Sequence, residues 1–223
     1  MKRLILSACA GLVAVAMASP SSAADLRPLK APAYVAPFSW TGFYVGLNGG
    51  YGWAKSDWTG GGNSASVSPK GWLIGGTLGY NLQTGVWVWG LEADVDLSTV
   101  KGSQAGAGVC ATLPGCETRN RWLGTARGRI GYAFDRWLPY ITGGASFGDV
   151  KMAIPSGAAE TKTKIGWTAG LGLEYAFLGA WSAKIEYLYV DLGKSTCGAA
   201  TCGADTDVTF KENIVRLGLN YRF

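Results

Sequence analysis

Ten charged side chains sit at every second position of otherwise apolar or glycine-rich stretches. They are Glu92, Asp94 and Asp96; Arg127 and Arg129; Glu174; Lys184 and Glu186; and Arg216 and Arg222. A spacing of two puts such residues on one face of a β-strand. Five acids and five bases gathered on the inner face of one closed sheet could do two things. They could pair into a buried salt-bridge network, because buried charge must be compensated, or they could line a narrow ion path. General acid–base catalysis is a third chemistry, but the chain contains no histidine, the usual base near neutral pH. No Ser or Asp stands in a recognisable catalytic constellation either. The reading is therefore no enzyme, with no catalytic residue, no metal and no cofactor.

The cysteines are the other chemically distinctive set. Cys110 and Cys116 are separated by five residues, and Cys197 and Cys202 by four. Zinc sites favour two-residue spacings and often histidine. In an exported chain these pairs read as two local disulfides pinning loops; the sequence leaves the connectivity open.

Eight segments must position these residues. In FYVGLNGGYGW (43–53), Phe43, Val45, Leu47, Tyr51 and Trp53 share a face opposite Tyr44, Gly46, Asn48, Gly50 and Gly52. WLIGGTLGYNL (72–82) and WVWGLEADVDL (87–97) alternate in the same way, as do WLGTARGRIGYAF (122–134), WLPYITGGASF (137–147), IGWTAGLGLEYAF (165–177), WSAKIEYLYV (181–190) and the terminal IVRLGLNYRF (214–223). The aromatics cluster at segment ends, as in the interfacial girdles of membrane barrels. A soluble β-sandwich also alternates, but its outer face would carry charge, and here the clear charges all take the opposite face. Charged residues make up only 16% of the chain, glycines number 34, and Trp and Tyr 10 each. Beyond the N-terminus no run approaches the roughly 20 apolar residues of a spanning helix. The fold class is all-β: an eight-stranded antiparallel transmembrane β-barrel.

Connections alternate in length. TG (84–85), DR (135–136) and LGA (178–180) make short turns. Long segments near 55–70, 99–119, 149–164 and 192–210 make four loops. Short periplasmic turns and long extracellular loops are the outer-membrane arrangement, and they put both cysteine pairs at the cell surface. Residues 1–23 read as a signal peptide, with Lys2 and Arg3 before the apolar Leu4–Ala18 stretch and the small residues Ser21, Ser22 and Ala23 before the cut. Its removal leaves 18 basic against 15 acidic residues, a net charge of +3, too mild to argue for nucleic acid. Residues 24–39, with Pro28, Pro32 and Pro37, read as a periplasmic linker. The barrel then occupies 40–223. An eight-stranded barrel has an interior only wide enough for side chains, so the interior charges read as a salt-bridged plug, with an ion path as the alternative.

The stretches ADLRPLKAPAYVAPFSWTGFYVGLNGGYGWA (24–54) and LGTARGRIGYAFDRWLPYITGGASFG (123–148), together with the NYRF end, carry a resemblance. The chain resembles the small alphaproteobacterial outer-membrane immunogenic proteins, OmpA-like barrels often grouped with the porin family. The resemblance implies an outer-membrane surface antigen tied to envelope integrity and to host or surface ligands. Lipid and lipopolysaccharide would surround it. The ending at Tyr221 and Phe223 resembles the signal read by the barrel-assembly machinery. Some family members bind hemin; without histidine, axial ligation here would fall to Tyr, Met or Cys. A small diffusion pore is the other function the family implies.

Overall fold

The computed structural model describes residues 38–60, 62–105, 116–153, 159–197 and 206–223. The expected signal peptide and nearly all of the proline-rich segment lie outside the described residues, as do Cys110 and Cys202. Among the described residues every regular element is a strand: β1 (Gly42–Gly60), β2 (Asn63–Val67), β3 (Lys70–Thr84), β4 (Trp87–Ser98), β5 (Lys101–Gln104), β6 (Cys116–Arg119), β7 (Trp122–Tyr132), β8 (Trp137–Ala153), β9 (Ala159–Leu178), β10 (Trp181–Cys197) and β11 (Thr206–Arg222).

Eight of these form the barrel wall, each antiparallel to its neighbours, in the ring β1–β3–β4–β7–β8–β9–β10–β11. The ring closes where β11 pairs with β1, with Val45 opposite Tyr221 and Tyr51 opposite Val215. Closure leaves the eight-stranded ring without a free edge, which a sheet in lipid requires. Three tight turns, at Gly85–Val86, Asp135–Arg136 and Gly179–Ala180, join strands at one end. Gly85, Asp135 and Gly179 all have positive φ there, as two-residue hairpins demand.

The long connections differ from the sequence expectation. Much of 55–60, 149–153, 159–164, 192–197 and 206–210 is not loop but strand, carrying the wall beyond the membrane. β1 runs for 19 residues and β9 for 20, about twice the span a tilted strand needs to cross a bilayer. β5 and β6 continue the β4–β7 pair after a break. There Asp149 accepts the backbone N–H groups of Arg121 and Trp122 at 2.9 and 3.2 Å.

The alternation keeps its phase along these strands while its chemistry inverts. In β1 the outward side chains are Phe43, Val45 and Leu47 below, then Lys55 and Thr59 above. The inward ones are Tyr44 and Asn48 below, then Ala54 and Trp58 above. β11 repeats the change, from Leu217 and Val215 outward below to Lys211 and Asp207 above. Lipid surrounds the lower half and water the upper half, so the buried face is polar below and apolar above. An upper core of Trp58, Leu123, Leu188, Leu192, Phe210 and Ile214 fills the extension. A smaller cluster of Trp40, Val88, Leu138 and Ala176, with Phe38 against it, closes the end that carries the tight turns.

Candidate functional site

Between the two apolar layers lies the charged lumen. β4 delivers Glu92, Asp94 and Asp96; β7 delivers Arg127 and Arg129; β9, β10 and β11 deliver Glu174, Lys184 with Glu186, and Arg216. All nine are almost wholly buried. Room for them comes from glycines on the facing strand. Gly50 lies opposite Arg216 and Gly75 opposite Asp96, and a Cβ at either would collide with the facing strand.

Two arginines tie the strands together. Arg127 donates to Glu92 at 2.5 Å, to Asp94 at 2.7 Å and to Glu186 at 3.1 Å. Its Nε is satisfied by Thr125, whose hydroxyl in turn donates to Asp94. Arg216 donates from Nε to Glu186 at 2.7 Å and from Nη1 to Asp94 and Asp96 at 3.0 Å each. Lys184 reaches Glu92 at 2.7 Å. Across the β4–β7 pair Glu92 and Asp94 meet Arg127, and across β10–β11 Glu186 meets Arg216. Lys184 reaches across the lumen to β4.

Arg129 forms a second centre. It donates to Glu174 and to the Asn81 side chain, each at 3.0 Å. Its guanidinium lies between two tyrosine rings, 5.0 Å from the centroid of Tyr44 and 4.9 Å from that of Tyr140, a desolvated cation–π arrangement. Each ring lies across a glycine directly opposite on the next strand, Gly79 for Tyr44 and Gly172 for Tyr140. Their hydroxyls donate to Glu92 at 2.8 Å and to Glu186 at 2.9 Å. Sequence reasoning left both tyrosines out of the network. Tyr44 was nonetheless legible as inward, and each tyrosine's partner glycine was visible on an adjacent strand.

Arg222 is a correction. Among the described residues it makes no ion pair with the network carboxylates. It is half-buried at the lower mouth, with its guanidinium 4.5 Å from the Phe38 ring centroid. The last inward position of β11 falls below the carboxylates, where the neighbours are aromatic. Glu212, which the sequence reading passed over, is buried on the inner face of the same strand, and among the described residues neither carboxylate oxygen has a hydrogen-bond partner. Among the described residues the lumen set is therefore six carboxylates and four cations rather than five of each. The space over the inward glycines Gly79, Gly172, Gly50 and Gly218 is taken by Tyr44, Tyr140, Arg216 and Lys184 respectively.

Tyr221 and Phe223 stand on the lipid face at the β1–β11 seam. Tyr221 packs edge-on against Trp181 with ring centroids 5.0 Å apart, and the Phe223 N–H donates to the Phe43 carbonyl at 2.9 Å. Cys116 opens β6 and Cys197 ends β10; their expected partners are outside the described residues, so both pairings lie there too.

A closed antiparallel barrel with an apolar, aromatic-rimmed outer belt and an ion-paired interior defines a small integral outer-membrane protein. The sequence matches the family model for the outer membrane protein beta-barrel domain over residues 8–223, and the chain belongs to this family. It is 39% identical over 254 residues to the 31 kDa outer-membrane immunogenic protein of Brucella melitensis, with all of both chains covered. It is 32% identical to the 25 kDa outer-membrane immunogenic protein of Brucella abortus, covering 88% of this chain and 85% of that one. Among solved structures, the outer membrane protease OmpT of Escherichia coli superposes with a TM-score of 0.51 at 9% identity, covering 82% of this chain and 97% of that one. That likeness is one of fold alone. The chain is an outer-membrane β-barrel protein of the alphaproteobacterial immunogenic type.

Proposed function

We propose that this protein is a closed, non-enzymatic surface barrel. In this reading the lumen serves stability, the membrane-embedded barrel supports the envelope, and contact with the surroundings resides in the strand extensions and loops above the membrane. The observation that carries the reading is the filling of the lumen. Four cations and five carboxylates are cross-bonded between two apolar layers, and nothing in that arrangement resembles a hydrated path. The absence of histidine from the whole sequence supports the non-enzymatic part. Export by a cleaved leader, assembly guided by Tyr221 and Phe223, and disulfides between the cysteines of each pair belong to the same proposal.

A strain lacking the protein tests it. Loss of the barrel should raise detergent sensitivity, and re-expression should restore resistance. Arg127→Met/Glu186→Gln protein, if it reaches the membrane folded, should restore resistance equally well. A variant shortened in the extracellular extensions should restore resistance but lose surface recognition by antibody or ligand. Failure of lumen variants that fold, with full activity of shortened ones, would reverse the assignment.

A further inference from the structure

Above the outer aromatic girdle, four cations stand directly opposite one another across four neighbouring strands. Lys70 on β3 pairs with Lys101 on β5, Lys101 with Arg119 on β6, and Arg119 with Lys151 on β8. Directly opposed residues of an antiparallel sheet project from the same face. That face is the outer one, since Lys70 lies two positions from the exposed Trp72. Lys70, Lys101 and Arg119 are exposed and Lys151 is partly so. Among the described residues, none of the four makes an ion pair.

Like charges directly opposite destabilise a sheet, and three successive rungs here repeat the offence. Protection of a bare edge, the usual reason for lysines on strands, does not apply, because these strands are hydrogen-bonded on both sides. The acids nearby are placed elsewhere. Asp149 is spent on backbone N–H groups. Glu117 lies two residues beyond Arg119, on the side away from the membrane. Lys55 and Lys211 also stand opposite each other, but there acids lie alongside: Lys55 pairs with Asp57 at 3.4 Å, and Lys211 faces Asp191 on its other side.

The height of the ladder decides the ligand. Two residues of a tilted strand separate Lys70 from Trp72, about 5 Å along the membrane normal. Aromatic girdles sit at the headgroup boundary, so the cations stand at the level of the outer-leaflet phosphates. The four cations, on adjacent strands, span about 14 Å at the usual strand spacing, wide enough to meet more than one phosphate.

We propose that the Lys70–Lys101–Arg119–Lys151 ladder binds the phosphorylated headgroup of an outer-leaflet glycolipid. The inference rests on the surface-barrel reading only for which end faces outward. Full-length protein extracted from membranes in mild detergent is added to phosphatidylcholine vesicles containing either diphosphorylated or dephosphorylated lipid A. Tryptophan fluorescence and glycolipid retained per barrel are the readouts. Wild type should favour the diphosphorylated lipid by about tenfold or more, with the preference weakening in high salt. K101Q/R119Q should lose the preference. K55Q/K211Q, with the same change in net charge, should keep it. Equal binding of the two lipids, or a preference that survives K101Q/R119Q, would overturn the proposal. So would a soluble sulfated polysaccharide that binds the ladder as tightly as the lipid does. Surface labelling of Thr161→Cys, opposite Lys151, on intact cells tests orientation separately, so a periplasmic result would sink the surface-barrel reading rather than the ladder chemistry.

Discussion

Arg216 and Glu212 lie four residues apart on one strand and show two opposite fates of buried charge. Arg216 answers three carboxylates. Its replacement by Met should leave Glu186, Asp94 and Asp96 under-compensated and cost about 3–5 kcal/mol, the usual penalty for breaking a buried ion pair from one side. The fall in the urea midpoint, followed by the heat-dependent gel shift of folded barrel, would show it. Adding Glu186→Gln to Arg216→Met should cost less than the sum of the two single changes, because the second removes a charge that the first stranded. Glu212 has no such partner. Its neighbours across the sheet are Ala54 and Val190. Glu212→Gln should therefore be neutral or stabilising by about 1 kcal/mol or more, since it removes an uncompensated group from an apolar layer. A lowered midpoint for Glu212→Gln would mean that its carboxylate has a partner in the membrane. The nine network residues were legible in the sequence because charge at every second position of an apolar strand has only one place to go. Glu212 was not, because it falls where the flanking pattern had already changed.

Among the elements, the eight wall strands were found in the right order, yet several were cut short and β2, β5 and β6 were taken as loop. The expected ends at Trp53, Val190 and Ile214 are the places where outward residues turn polar and inward ones turn apolar. A single rule of apolar outside and polar inside stops matching there, although the strand continues. The missing step was to let the rule invert at the water boundary while keeping the phase. Glycine placement was half legible in the same way. Gly50 faces Arg216 so closely that an added Cβ would lie 2.6 Å from the arginine Cβ, whereas a Cβ on the lipid-facing Gly128 meets nothing nearer than 4.0 Å. Gly50→Ala should then impair folding into the barrel, and Gly128→Ala should be tolerated, as the folded fraction recovered from membranes would report. At the turn, Asp135 holds φ of 53°. Asp135→Gly should raise stability by a few tenths of a kcal/mol, because glycine adopts that conformation without the Cβ penalty.

For the whole molecule, the barrel has two solvents outside and two fillings inside. The lipid-facing half encloses ion pairs, and the water-facing half encloses a hydrophobic core like that of a soluble barrel. Closure, strand order and outer-membrane class followed from periodicity. Occlusion did not, because the same alternation serves a plug or a channel. What distinguishes them is where Tyr44, Tyr140 and Trp58 place their rings, and that depends on cross-strand register. The central claim is that the lumen is closed, and conductance tests it most directly. Refolded, heat-modifiable protein in planar bilayers should give no reproducible current steps, and Arg127→Ala/Arg129→Ala protein that still folds should open small ones. Steady unitary steps from the wild type, altered in size or ion preference by the same substitutions, would contradict the account and make the charged lumen a pore.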